Sequence, residues 1–179
     1  MHSTPAILLR KFRLTETSLI VSWLTPEFGL IKTVAKGALR PKSRLTAVLD
    51  LFHSCEIQFQ QARSGDLHAL REATLRESFP GIRSDYPRIA LAAYAVELLE
   101  KAAEKETPVP ELFDLLERAF RHLDREAASR RAMLHFESEL ARLLGIASPH
   151  FSAEHALERV LHRLPTSRAD LLARLIAPA

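Results

Sequence analysis

The segment AKGALRPKSR, Ala35 to Arg44, carries Lys36, Arg40, Lys42 and Arg44 and no acid; the nearest carboxylates along the chain are Glu27 and Asp50. A row of long cations can follow the phosphates of a nucleic acid strand and release their counterions. Lys32, Val34 and Lys36 share one strand parity, so both lysines can leave the same face. Arg40, Lys42 and Arg44 extend that charge into a loop. Pro41 stiffens the loop, and Gly37 permits an unusual turn. Arg10, Lys11 and Arg13 lie nearby in sequence. Residues 1–44 hold eight Lys/Arg against two acids, whereas the rest holds 17 against 20. This asymmetry points to an anionic partner at one end of the molecule. Binding of single strands also calls for stacking platforms. Phe12, Trp23, Phe28, Phe52 and Phe59 are available; Trp23 reads as core, and Phe28, at a turn tip, is the better stacking candidate.

Other chemistry finds little support. The five glycines form no phosphate-binding loop, and no G-x-S-x-G elbow occurs. His150, His155 and His162 match no strong metal-ligand spacing, so no metal and no cofactor is expected. Cys55 lies mid-strand on an apolar face and reads as a small core residue. Being the only cysteine, it excludes an internal disulfide, and a reducing cytoplasm is the expected compartment. Glu137 falls on the apolar side of a helix, where a carboxylate must be paired. It reads as a structural partner for an arginine elsewhere, the alternative being an acid/base group. No apolar run is long enough for a membrane span, and the polar start MHSTP is unlike a signal peptide.

These residues sit on two textures. AILLRKFRL, SLIVSWLT, LIKTVAK, LFHSCEIQFQ and LHALREATL read as five short strands separated by turn signals. Together they predict a small closed or nearly closed barrel. In the fourth, Leu51, His53, Cys55, Ile57 and Phe59 share the apolar face. From about residue 85 the period becomes helical. Successive stripes are Leu91, Tyr94, Ala95, Leu98 and Leu99; Leu112, Leu116, Ala119, Phe120 and Leu123; and Met133, Phe136, Leu140, Leu143 and Leu144. Two more follow: Leu157, Val160, Leu161 and Leu164, then Leu171, Leu172, Leu175 and Ile176. TPVPE separates the first two helices, with Pro110 opening the second. Gly145 reads as a C-cap, and Ser167 with Asp170 as a capping box. The expected class is α+β, all-β then all-α: a barrel over 1–80 and a bundle of about five helices over 81–179.

The stretch ETSLIVSWLTPEFGLIKTVAKGALRPKSRL, Glu16 to Leu45, resembles the N-terminal signature of the RecO family of bacterial recombination mediators. It carries the E-x-S turn, the T-x-x-x-G hairpin, V-x-K-G and the basic R-P-x-S-x-L in order. ESFPGIRSDYPRIALAAYAVELLEK, ELFDLLERAF and LHFESELARLLGIAS are similar to the family's later segments, and the resemblance covers about residues 5–148. It implies an OB-fold followed by a helical domain. It also implies a DNA-repair protein of the bacterial cytoplasm and nucleoid that binds single- and double-stranded DNA and anneals complementary strands. With RecR, and in some bacteria RecF, such a protein helps RecA load on DNA coated by the single-strand-binding protein SSB. The implied DNA surface falls on Lys32, Lys36, Arg40, Lys42 and Arg44, with Arg10, Lys11 and Arg13. Arg121, Arg130 and Arg131 are candidates for holding the acidic SSB tail. Two features depart from the family. The four-cysteine zinc module of many members is absent, which makes this a short, zinc-free type. An Arg that often precedes the Phe-Glu pair is His135. Apart from the resemblance, two readings stay open: an OB-fold adaptor for acidic protein tails, and an enzyme built on Glu137 and a histidine.

Overall fold

The computed structural model describes residues 1–175. Ile176, expected in the last apolar stripe, lies outside them. The chain divides into two units. One is Met1–Ser78 with Ala103–Phe113; the other is Phe79–Ala102 with the residues from Asp114 onward.

The first unit is a closed five-stranded barrel. Its strands are β1 (His2–Arg13), β2 (Leu19–Thr25), β3 (Gly29–Ala35), β4 (Ser54–Gln60) and β5 (Leu67–Glu77), with a one-turn helix α1 (Leu45–Val48) before β4. The order around the barrel is β1-β2-β3-β5-β4, and β1 pairs with β4 to close it. Only the β3–β5 pair is parallel. β1 serves two neighbours. Its first half, from His2, pairs with β4; its second half pairs with β2, with a bulge between Leu8 and Arg10. Closure leaves no long open edge. This is the expected OB-fold.

Alternation fills the barrel as the pleat requires. Leu19, Val21, Trp23, Ile31 and Ala35 point inward with Ala6, Leu8, Cys55, Ile57 and Phe59. Each large apolar side chain buried in this way contributes about 1.5–3 kcal/mol. Trp23 is fully buried, and its indole N–H donates to Thr33 Oγ1 at 2.8 Å, so the core carries no orphaned donor there. Cys55 is a core residue too, and burial pushes its thiol up to about 12. Leu51 departs from the expected face: it precedes β4 in a turn and is exposed.

A division at residue 80 leaves out 103–113, which cluster with the barrel. Glu106 N–H donates to Leu30 O, and Val109 N–H to Pro26 O. Gly29 makes this approach possible. Its φ is +58°, and a Cβ there would stand 2.2 Å from Thr107 O.

The second unit is helical. A 3₁₀ turn (Pro80–Arg83) precedes α2 (Tyr86–Ala102), α3 (Pro110–Arg125, entering this unit at Asp114), α4 (Arg130–Leu143), α5 (Ala153–Leu161) and α6 (Ser167–Arg174). α2 buries Ala92 and Val96 beyond its expected stripe, and so is apolar over most of its circumference, as a central helix must be. α4 ends in a Schellman motif. Ile146 N–H reaches Ala141 O at 2.9 Å and Gly145 N–H reaches Arg142 O at 3.0 Å, with Gly145 at φ +70°. Two expectations fail here. Val160 is exposed on α5, because Ala156 and Leu157 turn that short helix inward. Ser167 is the first helical residue of α6; Thr166 occupies the cap position, and no side chain caps the helix.

Candidate nucleic-acid interface

β3 alternates as expected: Ile31, Thr33 and Ala35 are buried, and Lys32 is exposed. Lys36 follows the end of the strand and is exposed as well. The loop after it is built from consecutive turns. Arg40 N–H donates to Gly37 O, Ser43 N–H to Arg40 O, and Thr46 N–H to Ser43 O. Gly37 and Lys42 supply the left-handed conformations, at φ +68° and +65°. The loop is also anchored. Ala38 is buried in the barrel core, its carbonyl accepts from Thr46 Oγ1 at 2.9 Å, and Leu39 N–H donates to Thr17 O at 2.9 Å. Arg40, Lys42 and Arg44 are therefore displayed by a fixed backbone.

Among the described residues, none of Lys32, Lys36, Arg40, Lys42 and Arg44 has an ion pair with a carboxylate or a side-chain hydrogen bond. Asp66 lies within the field of Lys32. Its main partner is Lys105, 3.1 Å away, whose hydrogen bond and charge hold the Asp66 carboxyl below the usual range.

The three cations of β1 divide. The register sets Arg10 opposite Ser22 of β2, and Ser22 opposite Lys32 of β3, so Arg10 and Lys32 share the outer face. Lys11 does not share that parity. Its Nζ binds Asp50 Oδ1 at 2.7 Å and Leu49 O at 3.1 Å. Arg13, on the parity of Lys11, donates from its guanidinium to Thr15 O and Glu16 O, bracing the β1–β2 turn. Both make internal ties that the charge pattern alone does not reveal.

The aromatic assignments change. Phe28 is half-buried and packs edge-on against Phe59 and His2, with ring centroids 5.3 and 5.0 Å apart. Phe52 and Phe59 are buried. Among these barrel aromatics the exposed ring is Phe12, at 53%. The sequence holds a signal for it, since Phe12 shares the parity of Arg10, but the bulge in β1 hides which parity faces out.

In the helical unit, a cleft of about 480 Å³ opens between α2, α3 and α4. Leu91, Leu115, Leu123 and Phe136 line its floor, while Arg131, Arg118, His122 and His135 carry its polar groups. Arg131 has no carboxylate partner among the described residues, and neither does Arg130. Both occupy the first turn of α4, the end where the helix dipole favours anions. Arg121 differs: its guanidinium lies 3.1 Å from Glu117 one turn back.

Glu137 is buried completely, and its carboxylate is fully engaged. Arg168 of α6 meets both oxygens, Nε to Oε1 at 2.8 Å and Nη2 to Oε2 at 3.0 Å. Tyr94 Oη donates to Oε1 at 2.6 Å. Glu154 takes the remaining Arg168 nitrogen. Burial, and then the adjacent carboxylate, push the Tyr94 phenol well above its ordinary range; the Glu137 hydrogen bond raises Arg168 likewise. Glu137 is thus the structural pair, joining α2, α4 and α6. Among the described residues, no three His, Cys, Asp or Glu converge to hold a metal, and no helix is long and apolar enough to cross a membrane.

Comparison with known proteins agrees with this architecture. Residues 1–79 match the family model described as Recombination protein O N terminal, and residues 83–162 match Recombination protein O C terminal. The DNA repair protein RecO of Rhodopirellula baltica is 36% identical over 140 residues, 78% of this chain and 52% of that protein. RecO of Salinibacter ruber is 35% identical over 145 residues, 80% of this chain and 56% of that protein. RecO of Listeria monocytogenes is 34% identical over 146 residues, 82% and 56% respectively. The chain spans about half the length of the curated relatives it matches. With both family models in order along a barrel and a helical unit, the chain belongs to the RecO family.

Proposed function

We propose that this protein is a DNA-binding recombination mediator in DNA repair, acting by binding rather than by covalent chemistry. The observation that carries the reading is the set of five cations, Lys32, Lys36, Arg40, Lys42 and Arg44, displayed without partners among the described residues from β3 and its anchored loop. An OB-fold offers the face of strands 2 and 3 to oligonucleotides, and these residues lie on and beside it. Arg10 lies on the same face across β2. Neutralising phosphates lowers the repulsion between two approaching strands and lets bases search for partners, which is annealing. Single strands and duplexes both present the phosphates this requires.

The helical unit supplies a second role in this reading. The cleft beside α4 combines an apolar floor with Arg131 and a helix N-terminus, chemistry suited to an acidic tail such as that of SSB. Arg130 stands next to it, and Arg121 contributes less because Glu117 already holds it. With RecR, and in some settings RecF, the complex would then help RecA load on SSB-coated DNA.

The test is annealing of SSB-coated complementary oligonucleotides by the wild type and by a Lys36/Arg40/Lys42/Arg44→Glu variant. Loss of annealing in a folded variant is expected. Unchanged annealing overturns the assigned surface. Annealing by neither protein, with no salt-sensitive binding to a random oligonucleotide, favours an OB-fold adaptor for acidic protein tails.

A further inference from the structure

Three rows cross β1, β2 and β3 on the outer face of the barrel. Arg10, Ser22 and Lys32 form the first; Phe12, Ile20 and Val34 form the second. Leu14 and Ser18 continue into the third, joined by the Leu14 N–H to Ser18 O bond at 2.9 Å. Gly37 N–H, donating to Ser18 Oγ at 3.4 Å, brings Lys36 alongside. Rows on one face are two residues apart, about 7 Å. The apolar row thus runs between two rows that carry cations. Within it, Ile20 and Val34 are half-buried and form a floor, while Phe12 stands exposed with no ring partner among the described residues.

We propose that Phe12 is a stacking platform for an unpaired nucleobase and gives this face a contact that single strands can use and duplexes cannot. This rests on the DNA-binding reading above and adds the element that phosphate contacts cannot supply. Cations bind the backbone of single strands and duplexes alike. A ring face can stack only on a base that is not already stacked inside a helix, and every base has such a face, so the contact is indifferent to sequence. The charge around Phe12 selects the occupant. An apolar protein segment has no use for Lys32 and Lys36 on its two flanks, whereas a strand whose phosphates alternate with its bases matches cation, ring and cation in turn. Phe28, at the hairpin tip, cannot serve in this way because its ring is packed against Phe59 and His2.

The experiment titrates wild type, Phe12→Ala and Phe12→Trp with labelled oligothymidylate and with a duplex of equal length over a range of salt concentrations. Phe12→Ala should weaken single-strand binding about 10- to 100-fold. It should leave duplex binding and the salt slope unchanged, because no phosphate contact is lost. Phe12→Trp should restore binding, and its exposed indole should be quenched by the oligonucleotide while buried Trp23 is not. Equal losses for duplex and single strand, a shallower salt slope, or an effect below about twofold each overturn the stacking role while leaving DNA binding intact. Failure of the wild type to bind either DNA overturns both.

Discussion

The barrel and the helical unit use arginine and lysine in opposite ways. Many helix cations have a carboxylate within reach: Arg118 with Asp114, Arg121 with Glu117, Arg142 with Glu139, and Arg168 with Glu137 and Glu154. On β3 and the loop after it, none of the five cations forms an ion pair with a carboxylate among the described residues. Residue type is the same, and the difference lies in the neighbours. A cation that has found its acid contributes to the fold or to the surface of a helix. One displayed by an anchored loop without an acid partner is open to a partner outside the molecule. Lys11 marks the boundary, being a barrel cation that Asp50 has claimed. Arg130 and Arg131 mark it from the other side, as helix cations without an acid among the described residues.

Four experiments put this contrast at risk. The largest effect is expected from Lys36/Arg40/Lys42/Arg44→Glu, with DNA affinity lowered roughly 10³-fold at low salt and the slope of log affinity against log salt shallower by about 3 to 4. Equilibrium titration measures both, and a slope equal to that of the wild type would place those charges in plain water. Next is Arg168→Ala, which leaves the Glu137 carboxylate buried without its cation. Denaturant unfolding should show a loss of about 3–5 kcal/mol. Its DNA salt slope should not change, so a change there would blur the division between the two units.

A smaller effect concerns Cys55. The folded thiol keeps its proton to about pH 12, while an unfolded one releases it near 9.0. The stabilisation from this group is therefore whole below about pH 9 and drains as pH rises towards 12. Between about pH 9 and 10 it should fall by about 1 kcal/mol. Stability profiles of wild type and Cys55→Ala should converge across that interval, and parallel profiles would refute the assignment. The smallest effect is expected from Lys11→Ala. An exposed pair contributes about 1 kcal/mol at most. Stability should change within that limit and the DNA salt slope should stay the same; a slope reduced by about one would return Lys11 to the binding surface.

Much of the fold, and the outward placement of some candidate interface residues, are legible in the sequence. Strand alternation locates Trp23, Cys55, Ile57 and Phe59 in the core and sends Lys32 outward. The helical period finds the stripes of α2, α3 and α4, and Gly145 marks the Schellman cap. Mismatches gather where local pattern meets a tertiary constraint. Phe28 reads as a ring at a free turn tip, but the barrel folds it onto Phe59. Lys11 groups with Arg10 by charge, although a pleat sends neighbours to opposite faces. TPVPE, residues 107–111, reads as a helix break, yet the backbone around it pairs with the β2–β3 hairpin through a contact that Gly29 permits. Glu137 signals its need for a partner by its place on an apolar stripe; that the partner is Arg168, 31 residues on, is a long-range fact.

Periodicity and composition are local properties, and they suffice for the two textures, the order of elements and the concentration of positive charge in residues 1–44. Which of those charges are held internally and which are displayed depends on the long-range fold. The register of β1 against β2, shifted by one bulge, selects Arg10 over Lys11 for the outer face, and the anchoring of Ala38 fixes the loop that carries Arg40, Lys42 and Arg44. A cation is satisfied by whichever acid the fold brings near it, and no local pattern encodes that proximity.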